Sequence, residues 1–319
     1  MQWPTFDDFA NLWVCVCSAK ALTANSLMSV DVAGERIALF RDGSGNAVAM
    51  VDRCPHRGVA LSLGTLEYGT VSCPFHGWRF DGNGRCLHVP WNPEAKLDRL
   101  SARTVPVREA GNLIWLYTGF APSSEPFIPP TLLRSDVRLT AQSFVWNVHW
   151  TRVMENMLDT PHLPFVHART IGKRFRSKTA AAMQMRWEPT EYGGEVITCR
   201  SGERPMTNLR YYYPNAMELT IDPAGRVLRM LAVCTPNKDG RTKLSLYTLR
   251  NFAKARALDW VFARTNARIA AEDKAIVESS IPAHVPTAGE EVSVATDAPT
   301  LAFRKIWFTR IRGSIAAAP

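Results

Sequence analysis

The chain has 319 residues, enough for one large domain or two ordinary ones with real cores. With 46% hydrophobic and 21% charged residues it has the balance of a globular protein, and no apolar run approaches the ~18 residues of a membrane span. A net charge of +9 asks for an acidic partner, but the basic residues are dispersed and no nucleic-acid motif is present, so the expectation is no nucleic acid and no membrane span.

From the N-terminus, MQWPTFDDFANLW is acidic where an export signal is basic, so a cytoplasmic protein is expected. The seven Cys are odd in number and scattered, which is no disulfide framework. SLMSVDV, ERIALFRD and AVAMVD predict short strands, and GSGN between the last two predicts a hairpin. DGNG (Asp81 to Gly84) is another turn, and NLIWLYTG (Asn112 to Gly119) predicts a last strand. APSSEPFIPP, residues 121–130, is rich in Pro and Ser and reads as a linker between a domain at 1–120 and a second at 131–319. Beyond it HWTRVMENMLDT predicts a helix, RYYYPNAMELTI and KLSLYTLRNF predict strands, and a long helix is expected from about Lys254 to Ser280. The expected class is α+β: an all-β N-terminal domain, then an α+β domain with an antiparallel sheet. The densest basic stretch, GKRFRSK (Gly172 to Lys178), reads first as a solvated loop and second as a docking surface for an acidic electron carrier. No internal repeat is found, and low complexity is confined to GSIAAAP.

CPHRGVALSLGTLEYGTVSCPFHGW, Cys54 to Trp78, holds the first set of candidate ligands. Its skeleton is Cys54-x-His56, sixteen residues, then Cys73-x-x-His76. Two Cys and two His in paired short spacings can form a tetrahedral zinc site or a Rieske [2Fe–2S] centre. Zinc knuckles group like ligands in sequence, whereas each loop here offers one Cys and one His. That suits a cluster in which both thiolates hold one iron and both imidazoles the other. Cys15, Cys17, Cys86, Cys199 and Cys234 lack such neighbours and read as buried small hydrophobes. His88, His149 and His284 read as surface or hydrogen-bonded histidines.

CPHRG and CPFHGW resemble the Rieske motif of the Rieske non-haem iron oxygenases. The stretch NMLDTPHLPFVH, Asn156 to His167, then gains a meaning. A mononuclear iron that activates O₂ takes two neutral imidazoles and one carboxylate and leaves one face open. His162 and His167 are five residues apart, a step that on an ideal helix turns them roughly 140° from each other. Pro161 and Pro164 disfavour a regular helix through His162, so the helix holding Glu155 to Asp159 is expected to break near Pro161 and let the imidazoles converge.

Asn156-x-x-Asp159-x-x-His162-x₄-His167 resembles the catalytic motif of the same family. The resemblance implies that His162 and His167 bind a mononuclear Fe(II). It implies that Asp159 bridges His162 to His76 of a neighbouring subunit, hence a homotrimer, and that Asn156 sits near the iron without binding it. AAEDKAIVESS, Ala270 to Ser280, resembles the segment that carries the family's carboxylate ligand, and the match falls on Asp273, with Glu272 and Glu278 as rivals. On a helix Asp273 would share an inward face with Ile269, Ile276 and Val277. PTAGEEVSVATDAPTLAFRKIW also resembles the family's C-terminal end.

The resemblance implies the oxygenase component of a Rieske monooxygenase, hydroxylating or oxidatively demethylating a small cyclic organic substrate with O₂. DGSGN and DGNGR are not nucleotide fingerprints, so NAD(P)H must be oxidised by a separate reductase, acting directly or through a ferredoxin. Ring cis-dihydroxylation is the alternative chemistry. An electron-transfer or iron-sulfur sensing protein is the alternative class, and a zinc protein the third option. Met157, Asn215 and Asn251 are candidate pocket residues or packing residues equally.

Overall fold

The computed structural model describes residues 5–173, 182–200, 204–287 and 289–312, and the chain divides into two compact units. The first comprises Met1–Ile128 with Asn237–Asp239, and the second Pro129–Pro236 with Gly240–Pro319. Residues 174–181, most of the basic stretch GKRFRSK, lie outside the described residues, as does GSIAAAP.

The first unit is built from β1 (Trp13–Ser18), β2 (Met28–Val32), β3 (Glu35–Arg41), β4 (Ala47–Val51), β5 (Thr65–Glu67), β6 (Thr70–Ser72), β7 (Arg79–Phe80), β8 (Cys86–His88), β9 (Thr104–Val105), β10 (Val107–Ala110) and β11 (Leu113–Tyr117). They form three antiparallel sheets, ordered β1-β11-β10, β2-β3-β4-β9 and β5-β6-β7-β8. Strand β3 buries Ile37, Ala38, Leu39 and Phe40 in succession, and β11 is buried throughout, because both faces are covered. One core cluster gathers Phe40, Met50, Leu61, Val71 and Phe80 with Cys54 and Cys73. Burying each such large side chain contributes about 1.5–3 kcal/mol, so the two thiols stand on a rigid floor. Ser124 and Glu125 of the Pro- and Ser-rich stretch belong to this unit: the Trp13 indole donates to the Ser124 carbonyl (2.7 Å), and Arg108 pairs with Glu125.

The second unit opens with β12 (Arg138–Trp146), followed by α1 (Trp150–Leu158) and α2 (Leu163–Val166). Then come β13 (Met183–Thr190), β14 (Gly193–Arg200), β15 (Met206–Tyr212), β16 (Ala216–Thr220), β17 (Leu228–Pro236) and β18 (Thr242–Arg250), with α3 (Asp259–Val277) and α4 (Ala298–Ile306) last. The seven strands form one antiparallel sheet ordered β12-β18-β17-β16-β15-β14-β13. Residues 147–182 must therefore cross from one edge to the other, about 29 Å for six strand spacings, and this crossing carries α1 and α2.

Trp150, Val153, Met154 and Leu158 bury one face of α1, which packs on β16, β17 and β18. Its other face is held by buried charge: Arg152 and Glu155 pair with each other, and Arg304 of α4 and Glu291 close the cluster around them. Helix α3 starts where Asp259 accepts from Arg138 of β12 and Arg250 of β18, and these guanidiniums hold its carboxyl far below the usual range.

Three expectations are corrected. RYYYPNAMELTI is not one strand but a hairpin, turning at Tyr213, Pro214 and Asn215 between β15 and β16, since proline supplies no ladder donor. The long helix begins at Asp259, after a 3₁₀ turn at Arg256–Leu258. Cys199 is only half-buried, because β14 pairs beside the edge strand.

Candidate metal centres

The first cluster is one local motif used twice. In Cys54–Gly58 and again in Cys73–Gly77, the glycine amide four residues on donates to the cysteine carbonyl, at 2.9 and 3.0 Å. Both glycines take positive φ, +73° and +69°, which turns the chain back under the sulfur where a side chain would strain the backbone. The cysteine amides are tied outward, Cys54 to the Val59 carbonyl and Cys73 to the Trp78 carbonyl. Cys54 and Cys73 are buried, while His56 and His76 are exposed with ring centroids 4.7 Å apart; Trp78 stacks on His56 at 4.5 Å.

Burial, reinforced by the Cys73 thiol beside it, pushes the Cys54 thiol up to about 11, so in the metal-free chain it carries its proton until a metal displaces it. Among the described residues, no three of Cys54, His56, Cys73 and His76 bring donor atoms within 4.8 Å of one another. One tetrahedral ion needs that convergence; a two-iron cluster instead separates a thiolate pair from an imidazole pair.

The second cluster does converge. His162, His167 and Asp273 each offer one donor atom, all within 4.8 Å of one another, and they are the one such group among the described residues. Asp273 Oδ1 lies 3.0 Å from His167 Nε2 and 3.6 Å from His162 Nε2. Two ligands about 2.1 Å from one ion stand about 3.0 Å apart at right angles and about 3.4 Å apart at the tetrahedral angle. The spacing therefore suits a common ion. Asp273 Oδ1 is also buried without a hydrogen-bond partner, despite the nearby ring nitrogen. A buried carboxylate oxygen left so is costly unless a cation supplies the missing interaction.

The far nitrogens are occupied. His162 Nδ1 meets Asp159 Oδ2 at 2.8 Å, and the same oxygen accepts the His162 backbone amide at 3.0 Å. His167 Nδ1 meets Glu272 Oε2 at 2.9 Å. A carboxylate on Nδ1 keeps the proton there and leaves Nε2 as the lone pair for a metal. Burial alone would depress the His167 pKa, but the Asp273 and Glu272 carboxylates hold it above the ordinary value.

Local structure accounts for the five-residue gap, with the expected break near Pro161. Helix α1 does end at Leu158, with Asp159 extended (φ −89°, ψ 132°). The break lies before His162, while Pro164 sits within the first turn of α2 and does not interrupt it. His162 and His167 flank the single turn of α2, closed by Val166 N–H to the His162 carbonyl and His167 N–H to the Leu163 carbonyl. Their rings meet at 5.3 Å between centroids. The extended residues fold Asp159 back onto His162.

On α3 the buried face is Asn266, Ala270, Asp273 and Val277; Ile276 is 56% exposed, against expectation. Glu278 faces elsewhere, accepting the Asn147 amide. Asn156 lies on the last turn of α1 with its side-chain Nδ2 buried and unpartnered. Of the candidate pocket residues, Asn215 is spent on the Cys234 carbonyl and Asn251 on the Val227 amide, both structural bonds. Met157 is half-buried. His149 caps α1 through Thr151.

Three features escaped sequence reasoning: Glu272 on His167, Thr170 Oγ1 donating to the same Glu272 oxygen (2.6 Å), and Gly172, whose amide donates to the His167 carbonyl (2.9 Å). Only the adjacency of Glu272 to Asp273 hinted at the first.

Residues 12–106 match the family described as Rieske [2Fe-2S] domain, and residues 146–312 match the Vanillate O-demethylase oxygenase C-terminal domain. Chlorophyllide a oxygenase, chloroplastic, of Chlamydomonas reinhardtii is 26% identical over 289 residues, covering 84% of this chain and 43% of that protein. The 4beta-methylsterol monooxygenase of Methylococcus capsulatus is 35% identical over 159 residues, 48% of this chain and 43% of that one. The chain thus spans less than half the length of these curated relatives. The solved structure of NdmA from Pseudomonas putida CBB5 is similar with a TM-score of 0.75 and 25% identity, over 95% of this chain and 91% of that one. No helix among the described residues is long and apolar enough to cross a membrane.

Proposed function

The chain belongs to the Rieske non-haem iron oxygenases, and from that premise we propose that it is the oxygenase component of a Rieske monooxygenase system. It hydroxylates, or oxidatively O- or N-demethylates, a small cyclic organic substrate with O₂. A separate NAD(P)H-dependent reductase delivers electrons, directly or through a ferredoxin, to a cytoplasmic homotrimer. The observation that carries this reading is the convergence of His162, His167 and Asp273 beside an Asp159 that is only half used.

In this reading Cys54 and Cys73 hold one iron of the [2Fe–2S] cluster and His56 and His76 the other. His162, His167 and Asp273 hold the mononuclear Fe(II). A ferrous ion with two imidazoles, one carboxylate and open positions supplies O₂ activation.

The chain's own residues set the conditions. Asp159 keeps the His162 proton on Nδ1 with one oxygen, and among the described residues its Oδ1 accepts no hydrogen bond. That oxygen is free to accept from the partner subunit's His76, which joins two redox centres by two short hydrogen bonds. Asp273 and the second imidazole are almost sealed from water, at 5% and 1% exposure. This sealing strengthens their hold on a cation. The buried, unpartnered Asn156 Nδ2 is a donor on the last turn of α1, suited to orienting a polar group close to the ion.

Iron counting tests the assignment. Protein assembled anaerobically should hold about three irons per chain, and His162→Ala about two. Two irons in both would leave an electron-transfer protein. With ¹⁸O₂, one labelled atom in a hydroxylated product, or in the formaldehyde released by demethylation, supports the monooxygenase reading, and two in the ring product support cis-dihydroxylation.

A further inference from the structure

His167 is held at both ring nitrogens by consecutive residues of α3. Glu272 Oε2 stands 2.9 Å from Nδ1, and Asp273 Oδ1 stands 3.0 Å from Nε2. Successive residues on a helix differ in direction by about 100° and in height by about 1.5 Å. Both nevertheless reach the same ring, one at each nitrogen. Glu272 is in turn fixed: its Oε2 accepts the Thr170 hydroxyl (2.6 Å), and Arg268 approaches Oε1 at 3.5 Å.

We propose that Glu272 is a positioning residue for the mononuclear metal: it fixes the tautomer and tilt of His167 from behind, with Thr170 fixing Glu272. The proposal rests on the reading of His162, His167 and Asp273 as metal ligands. Asp159 does the equivalent for His162 but is needed for a second task, leaving one oxygen for another donor. Glu272 is engaged from its own helix as well, with Arg268 approaching its other oxygen at 3.5 Å. Its oxygen on His167 is already shared with Thr170, which lies on the same chain segment as the histidine. The two imidazoles are thus supported asymmetrically, one by a carboxylate open to a redox partner, the other by a carboxylate committed to metal retention.

The test uses the full chain with its [2Fe–2S] cluster intact and the mononuclear site emptied by a chelator under anaerobic conditions. Co(II) is the probe, and bound metal is read by equilibrium dialysis. Glu272→Gln keeps the shape and removes the charge, and charge-assisted hydrogen bonds are roughly twice as strong as neutral ones. It should weaken Co(II) binding about tenfold, and Glu272→Ala by up to about a hundredfold, the usual range for such supporting carboxylates. The cluster's visible spectrum and the melting temperature of the emptied protein should be unchanged in Glu272→Gln. Glu278→Gln, on the same helix but away from the site, should bind as the unsubstituted protein does. Equal affinity of Glu272→Gln and the unsubstituted protein overturns the proposal while leaving the ligand assignment intact. No Co(II) binding by the unsubstituted protein, with its cluster present, overturns the ligand assignment itself. A fall in affinity accompanied by an equal fall for Glu278→Gln marks a general weakening of α3 and also overturns the proposal.

Discussion

Asp159 grips His162 twice with a single oxygen, Oδ2, which accepts the ring Nδ1–H at 2.8 Å and the backbone N–H at 3.0 Å. Both bonds are possible only because α1 stops at Leu158 and the next residues are extended, bringing an acid three positions earlier over the histidine. The arrangement spends half of the carboxylate on orientation and reserves the other half.

Replacing Asp159 by Asn separates the two halves. The amide oxygen can still accept from His162, but the second position then carries a donor where the proposed bridge to the partner subunit calls for an acceptor. Asp159→Asn is expected to keep about three irons per chain while reductant-driven turnover falls at least about a hundredfold. Iron analysis beside NADH consumption with a surrogate reductase checks this. Turnover near that of the unsubstituted protein would remove the bridging role.

Gly172 tests the site without replacing a candidate ligand. A Cβ there would stand 1.8 Å from the Leu163 carbonyl oxygen and 2.9 Å from the His167 carbonyl carbon, so the turn bearing both histidines must move. Gly172→Ala should destabilise the protein by about 1–3 kcal/mol and lower the iron count toward two per chain. Melting temperature and iron content are the measurements, and three tightly held irons would contradict the geometry.

Gly77 offers the matching test for the other cluster. Its φ of +69° costs an alanine about 1–2 kcal/mol, and Pro90 Cγ would stand 3.1 Å from the added Cβ. Gly45 has a similar φ, +86°, with nothing within 4 Å. Gly77→Ala should lose stability and visible absorbance per chain, whereas Gly45→Ala should lose only stability.

His149 gives a pH signature apart from either cluster. Burial first, then the positive neighbours His284 and Arg312, depress its pKa to about 4 from an ordinary value of 6.5. Between those values the unfolded chain binds a proton that the folded chain refuses. Its contribution is therefore fully present above pH 6.5 and declines as pH falls toward 4, by about 3 kcal/mol at the lower end. His149→Asn preserves a cap for α1 and should flatten that part of the curve. Denaturation at pH 7 and pH 5 for both proteins measures the difference.

What could be read in advance follows the range of the interactions. The two Cys-Pro loops were legible because four ligands, two prolines and two glycines act within five-residue stretches. Asp273 was legible through resemblance, though the face given to it wrongly included Ile276, since an amphipathic pattern does not say how far an apolar stripe wraps. RYYYPNAMELTI shows the same limit: the apolar and aromatic residues on both sides favour strand, and only Pro214 and Asn215 mark the turn. Glu272 and Gly172 stayed hidden because their partners are contacts of tertiary packing. Glu272 reaches His167 across more than a hundred positions, and the importance of Gly172 depends on where the Leu163 carbonyl comes to lie.

Strands β13 to β18 succeed one another in space as they do in sequence, each closed by a nearby turn, while β12 must find β18, with Trp146 opposite Thr242. Long closures carry an entropic cost that local hairpins avoid, so they come late. The histidines ride inside that late closure, and Asp273 stands on the helix that follows it. An ion held by all three, as proposed, would fasten the final closure to the helix beyond and act as a latch on the folded unit. Chelation should therefore loosen the β12 edge before the meander, and amide exchange there should quicken first.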